Sequence, residues 1–324
     1  VARTLIASGR RPLLLAALLC LASATEATPQ ASHEVADSTA LTLHPEPLRI
    51  ATIEVPIDPT VAPSPDGRLI AALQTRPQPV LWIVPTDGGE PFAYRKTWSA
   101  TKPRWSASGN RIGFVADGGP PRIWTIEVDP ATGRPMDPPR MLYRDAVNTY
   151  AFAPDGEWIA YVPRRTTAAG ASEIHLVEWE NRKVRFLLRE NGIIYHLDWS
   201  PDGELIYYGV IPAAEEEGPT HRVRRVRLRD GRATTVLRAG EFLGLSTDGL
   251  YLLCRPAGWS REDGNIVELA HADGRSLMRI EVEPGPAPRW GAAGPGSLIQ
   301  VLPSEEGATI WAIPACPFCY LPYW

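Results

Sequence analysis

Six glycines cut this 324-residue chain into near-equal lengths, and each stands in the same local setting. An aromatic, aliphatic or proline residue lies four positions before the glycine, and a short apolar run follows it. The clearest copy is Asp198-Trp199-Ser200-Pro201-Asp202-Gly203-Glu204-Leu205-Ile206-Tyr207-Tyr208. The others are anchored at Gly67, Gly109, Gly156, Gly249 and, with looser spacing, Gly294. Successive anchors are 42, 47, 47, 46 and 45 residues apart. A period in the forties, built from short strands and tight turns, predicts a β-propeller with one blade per repeat.

Each repeat holds four strand-sized pieces. In the fourth, Tyr195 to Ser200 reads as the inner strand and Leu205 to Val210 as the second. Val223 to Leu228 and Ala233 to Arg238 supply the third and fourth. Aspartate-glycine pairs mark the turns: glycine tolerates positive φ, and the carboxylate bonds nearby N–H groups. These aspartates are therefore turn formers and not candidate catalytic acids. The second strands, such as Leu69-Ile70-Ala71-Ala72 and Trp158-Ile159-Ala160-Tyr161, are apolar on both faces, as strands squeezed between neighbouring blades must be. Cys254 lies in one of them and is expected in the core.

The whole is expected to be an all-β, six-bladed propeller of four-stranded antiparallel blades over residues 48–314. The sixth repeat lacks a fourth strand before the chain ends, while Leu48 to Val55 has no other obvious place. That segment is expected to complete the last sheet and close the ring, hiding edges an open array would expose.

Residues 1–24 stand apart. Arg3, Arg10 and Arg11 precede the apolar run Leu13 to Leu21, followed by Ala22-Ser23-Ala24, which is the pattern of a secretory signal peptide cleaved near Ala24. An uncleaved anchor or a lipoprotein at Cys20 is the alternative. Against them, the run falls short of the ~20 residues a span takes, and Leu19 is bulky. Residues 25–47 read as a polar linker and 315–324 as a tail. Losing three Arg takes the formal charge from −4 to −7. The negative balance argues against nucleic acid as a partner, and the basic stretch Arg222 to Arg229 alternates as an exposed strand face and not as a nucleic-acid groove. The expected product is a periplasmic or secreted monomer with no transmembrane segment after cleavage.

The strings Trp199-Ser200-Pro201-Asp202-Gly203, Ala153-Pro154-Asp155-Gly156, Pro63-Ser64-Pro65-Asp66-Gly67 and Trp105-Ser106-Ala107-Ser108-Gly109 resemble the TolB-like β-propeller repeat. The resemblance covers about residues 48–314, without the N-terminal domain that TolB itself carries. It implies the propeller fold. It leaves function open, because such repeats occur in periplasmic scaffolds, in peptidase propellers and in some polysaccharide lyases. The Gly-x-Ser-x-Gly nucleophile turn of the peptidase relatives is missing from this sequence.

Candidate chemistry follows from the two-residue period of the inner strands. Residues seven and five positions before each anchor share a face that approaches the central channel. This face carries Lys102, Arg104, His196, Asp198 and Arg289, a set able to bind an anionic ligand or the carboxylate of a peptide end. Arg104 and Asp198 could equally pair with each other. Loops are the second candidate region, with Arg164, Arg165, Trp259 and Arg261 as possible partner contacts. Cys316 and Cys319 have the redox Cys-x-x-Cys spacing, but that chemistry wants a helix N-terminus. Prolines surround them, so a local disulfide or a plain tail is the expectation. No histidine pair or His–Cys cluster has metal-ligand spacing, and no cofactor, metal or catalytic residue is assigned. The leading expectation is an exported scaffold that recognises an envelope protein or peptide through one face of the ring. The alternative is an exported hydrolase or lyase acting on a carbohydrate or peptide in the funnel through His196, Asp198 and Arg104.

Overall fold

The computed structural model describes residues 41–43, 48–53, 61–74, 79–94, 100–116, 120–143, 145–164, 170–213, 221–259, 266–284, 287–290, 297–303 and 308–314. All regular structure among them is β. Blade four shows the plan: Gly192–Trp199 innermost, then Leu205–Pro212, His221–Arg227 and Ala233–Ala239, each antiparallel to the one before. Five further sheets repeat it, with inner strands Val61–Pro63, Ala100–Trp105, Val147–Phe152, Phe242–Leu245 and Arg289–Trp290. The six-bladed, four-stranded antiparallel propeller expected from the glycine spacing is the observed fold.

Two N-terminal segments join sheets made by later parts of the chain. Leu48–Ile53 runs antiparallel to Ala308–Pro314 as the fourth strand of blade six. Leu41–Leu43, which lies in the stretch read as linker, runs parallel to Ser276–Glu281 and adds a fifth strand to blade five. The signal-peptide pattern and the Cys316–Cys319 string lie outside the described residues.

The core is not one mass but six wedges between blades. One joins Leu69, Leu81 and Ile83 of blade one to Trp105, Ile112 and Phe114 of blade two. Another joins Val61, Ile70 and Val84 of blade one to Ile299 and Ile310 of blade six, so apolar packing runs right round the circle. Second strands are buried throughout, as in Leu69–Gln74 and Tyr251–Cys254. Burial, with the charges of Glu268 and Glu241, pushes the Cys254 thiol up and leaves it unreactive.

The repeated turn is built by its serine. Ser64, Ser200 and Ser246 each accept the backbone N–H that starts the second strand, from Leu69, Leu205 and Tyr251, and each donates to the following aspartate. Asp66, Asp202 and Asp248 also accept the N–H two residues on, closing Asx turns. The anchor glycine supplies the positive φ, +72° at Gly203 and +74° at Gly249. Its lack of a side chain serves packing too. A Cβ on Gly249 would lie 2.5 Å from Pro201 of the preceding blade, and one on Gly203 would lie 3.4 Å from Pro154. The Pro-Asp-Gly string thus encodes a turn and an inter-blade contact together.

Candidate functional site

Strict alternation does not survive in the inner strands. Blades two to five each carry an irregularity there, between Thr101 and Arg104, Val147 and Thr149, Ile194 and His196, and Phe242 and Gly244. Such bulges re-aim side chains. Residues at these points link one blade to the next: the Lys102 ammonium donates to Asn148 O, and the Asn148 amide donates to Ile194 O at 2.8 Å. The Tyr195 hydroxyl accepts from Phe242 N–H at 2.7 Å. Gly209 leaves the space that the Tyr195 ring occupies. Lys102 adopts φ +55°, a conformation costly for a side-chain-bearing residue, and the Tyr150 hydroxyl holds its carbonyl at 3.0 Å. Asn148 and Tyr195 were not among the sequence candidates. Their signal is a polar or aromatic residue eight positions before the anchor, out of phase with the channel face.

A second set of stitches uses the anchor tryptophans. Trp105, Trp199 and Trp290 donate their indole N–H to Ala62 O, Ala151 O and Gly244 O of the preceding blade, at 2.8, 3.2 and 3.1 Å. The three acceptors are equivalent positions of the repeat.

The inner strands enclose a funnel of about 670 Å³ that takes in Lys102, Arg104, His196 and Asp198. Arg104 Nη1 donates to Asp198 Oδ1 at 2.6 Å, linking blade two to blade four past the intervening blade. His196 Nε2 lies 2.9 Å from Asp198 Oδ2 and 3.4 Å from Arg104 Nη2. The same Oδ2 accepts the Leu245 backbone N–H at 2.9 Å, which adds blade five. Burial alone would raise the Asp198 carboxyl; the charges of His196 and Arg104, with their hydrogen bonds, outweigh it and hold the group well below the usual carboxylate range.

The funnel is reached past the turns between first and second strands, since Pro65, Ala107, Pro154, Pro201 and Thr247 belong to its lining. Pro65, Ala107, Pro201 and Thr247 are exposed, Phe152, Pro154 and Trp199 are half-buried, and Leu250 beside them is 56% exposed. The mouth is therefore a broken collar of prolines and aromatic rings above a polar floor.

Four of the five channel candidates line the funnel. Lys102, Arg104, His196 and Asp198 are brought together, while Arg289 is placed in its strand without a described side chain. Two of the four loop candidates are described, and both lie away from the funnel. Arg164 is exposed just beyond the second strand of blade three, on the face opposite the turns. Trp259 is half-buried with the Arg255 guanidinium 4.2 Å over its ring, an internal contact. Arg165 and Arg261 lie outside the described residues. Among the described residues no group of three or more His, Cys, Asp or Glu is placed to hold a metal, and no helix is long and apolar enough to cross a membrane.

No family model and no curated protein matches the sequence. Solved structures share the fold. TolB from Acinetobacter baumannii aligns with a TM-score of 0.52 and 19% identity, over 78% of this chain and 62% of that one. This chain thus spans under two thirds of that protein's length. A putative TolB from Agrobacterium tumefaciens gives 0.55 and 16%, over 82% and 90%. An oligogalacturonate lyase from Vibrio parahaemolyticus gives 0.55 and 9%, over 88% and 100%. The likeness is one of fold, and within it the TolB-like resemblance of the Pro-Asp-Gly repeats is seen in three dimensions.

Proposed function

We propose that the protein is an exported propeller that binds a protein or peptide partner through the face bearing the turns between first and second strands. The observation that carries this reading is the division of labour in the funnel. Its ionisable floor is already satisfied: Asp198 receives three hydrogen bonds, and its depressed carboxyl makes a poor general base at neutral pH. At the rim, exposed Pro65, Ala107, Pro201 and Thr247 and half-buried Phe152 and Trp199 offer surface from several blades at once, as suits an interface. Export rests on the leader pattern of residues 1–24.

A lyase reading draws on the full-length fold likeness to the oligogalacturonate lyase. It needs a titratable group free to move a proton, and Asp198 does not meet that need. Affinity capture with the mature chain from envelope extract tests the proposal. A partner retained by the native protein and lost with Ala107→Glu/Thr247→Glu is expected. A partner held equally by both proteins would move the interface off this face.

A further inference from the structure

We infer that the outer edge of blade three takes up an added strand from a partner, an extended segment in which apolar residues flank an acidic one. The ground for it is an edge left both unpaired and apolar. Val184–Glu190 is the fourth strand of its sheet, and among the described residues no strand pairs with its outer side. Proteins keep such edges short, charged or covered, because their N–H and C=O groups template pairing with another chain. Here Val184, Arg185 and Phe186 are all exposed, Phe186 to 54% and Val184 to 44%. The edge is crowded only further along, where a Cβ on Gly231 of blade four would lie 3.3 Å from the Leu187 carbonyl. The open stretch is therefore short. A short stretch suffices in this ring: Leu41–Leu43 joins the outer edge of blade five beside Met278, Arg279 and Ile280.

Alternation gives the occupant its pattern. Val184 and Phe186 share one face of the strand, and Arg185 takes the other. On the first face the Phe186 ring stands edge-on to His175 at 5.6 Å, and His175 lies 5.6 Å from Tyr161, so rings behind it hold the apolar side in place. Glu173 is engaged with His175, 3.0 Å away. On the second face Arg185 is paired in register with Leu176, and its guanidinium lies 5.8 Å over the Trp158 ring. Glu178 stands beside Lys183 where the strand begins, its N–H bonded to the Lys183 carbonyl. In the turn before it, Glu180 is exposed and Arg182 donates to Leu142 O of blade two. Arg185 thus has an apolar neighbour across its own sheet, and an acid on an added strand would sit directly opposite it. A second copy of this edge would crowd Lys183 and Arg185 of the two chains together, and like charges oppose such pairing. A different chain is the fitting occupant.

The probe is a dye-labelled peptide, Thr-Val-Glu-Val-Thr, with Thr-Val-Lys-Val-Thr as its charge-reversed counterpart, each titrated against the mature chain by fluorescence anisotropy. The acidic peptide is expected to bind about threefold or more tighter than the basic one. Its affinity should fall about fivefold or more in Phe186→Ser, and it should slow amide exchange over residues 183–186. Arg185→Glu should reverse the preference between the peptides. Equal affinity for the two, binding unchanged in Phe186→Ser, or protection elsewhere in the ring would overturn the inference. So would a lack of binding, or self-association of the chain that Phe186→Ser abolishes, which would give the edge to a second copy. If Arg185→Glu does not fold, Phe186→Ser and the exchange map decide. The inference is independent of the reading of the turn-bearing face. Ala107→Glu/Thr247→Glu should leave peptide binding unchanged, so the two can fail separately.

Discussion

Arg104 and Asp198 are separated by 94 residues and by a whole intervening blade, yet their side chains meet at 2.6 Å. The pair is a tie rod across the funnel: it fixes blade two to blade four, and through Leu245 N–H to blade five. Both side chains are less than a quarter exposed. Removing one partner leaves the other charge partly buried and uncompensated, which costs about 3–5 kcal/mol at fully buried pairs. Asp198→Ala is expected to cost about 3 kcal/mol at this less buried site. The paired Arg104→Gln/Asp198→Asn should cost less than the sum of its singles by about 1–2 kcal/mol, as a double-mutant cycle in urea will measure.

The same carboxylate sets an acid limit on stability. A group whose folded pKa is depressed contributes stability that is complete above its unfolded value and is lost as pH falls through the folded one. For Asp198 the loss begins below about pH 4, because His196 and Arg104 favour its charged form despite burial. Melting temperature followed downward from neutral pH should fall more steeply in the native protein than in Asp198→Asn below that point. Parallel curves would remove Asp198 from the account.

Two anchor glycines should respond differently to alanine. Gly156, at φ +73°, has open space where a Cβ would go. Gly156→Ala should cost only the backbone term, about 1–2 kcal/mol. Gly249→Ala adds the contact with Pro201, and overpacking typically costs about 1–3 kcal/mol more. Pro201→Ala should recover part of that second term, and thermal unfolding of the four proteins checks it.

Leu48–Ile53 supplies the fourth strand of blade six. Deleting the chain through Ile53 strips that edge and exposes Ile310, Thr309 and their neighbours. A lower melting temperature and concentration-dependent association are expected, as for any uncovered sheet edge. Light scattering beside calorimetry reads both.

What was legible in the sequence was what local chemistry dictates. A glycine that must take positive φ, an aspartate that must close its turn and a strand buried on both faces leave marks within a few residues, and these gave the blade count. Pairing across the ring leaves no such mark. Arg104 and Asp198 were visible as channel residues able to pair with each other, but which partner each takes is decided only once the circle is closed. The bulges that commit Asn148 and Tyr195 to the next blade shift the strand phase by one residue, which strict alternation cannot anticipate. Leu41–Leu43 is too short for its pattern to signal a strand, and Trp259 gave no hint that Arg255 covers it.

The central claim, that a partner docks on the turn-bearing face, is tested most directly by hydrogen–deuterium exchange of the mature chain with and without the captured partner. The account predicts slowed exchange in the turns 64–68, 106–110, 153–157, 200–204 and 246–250. Protection confined to the opposite face, around Arg164 and Trp259, with these turns unchanged, would contradict it.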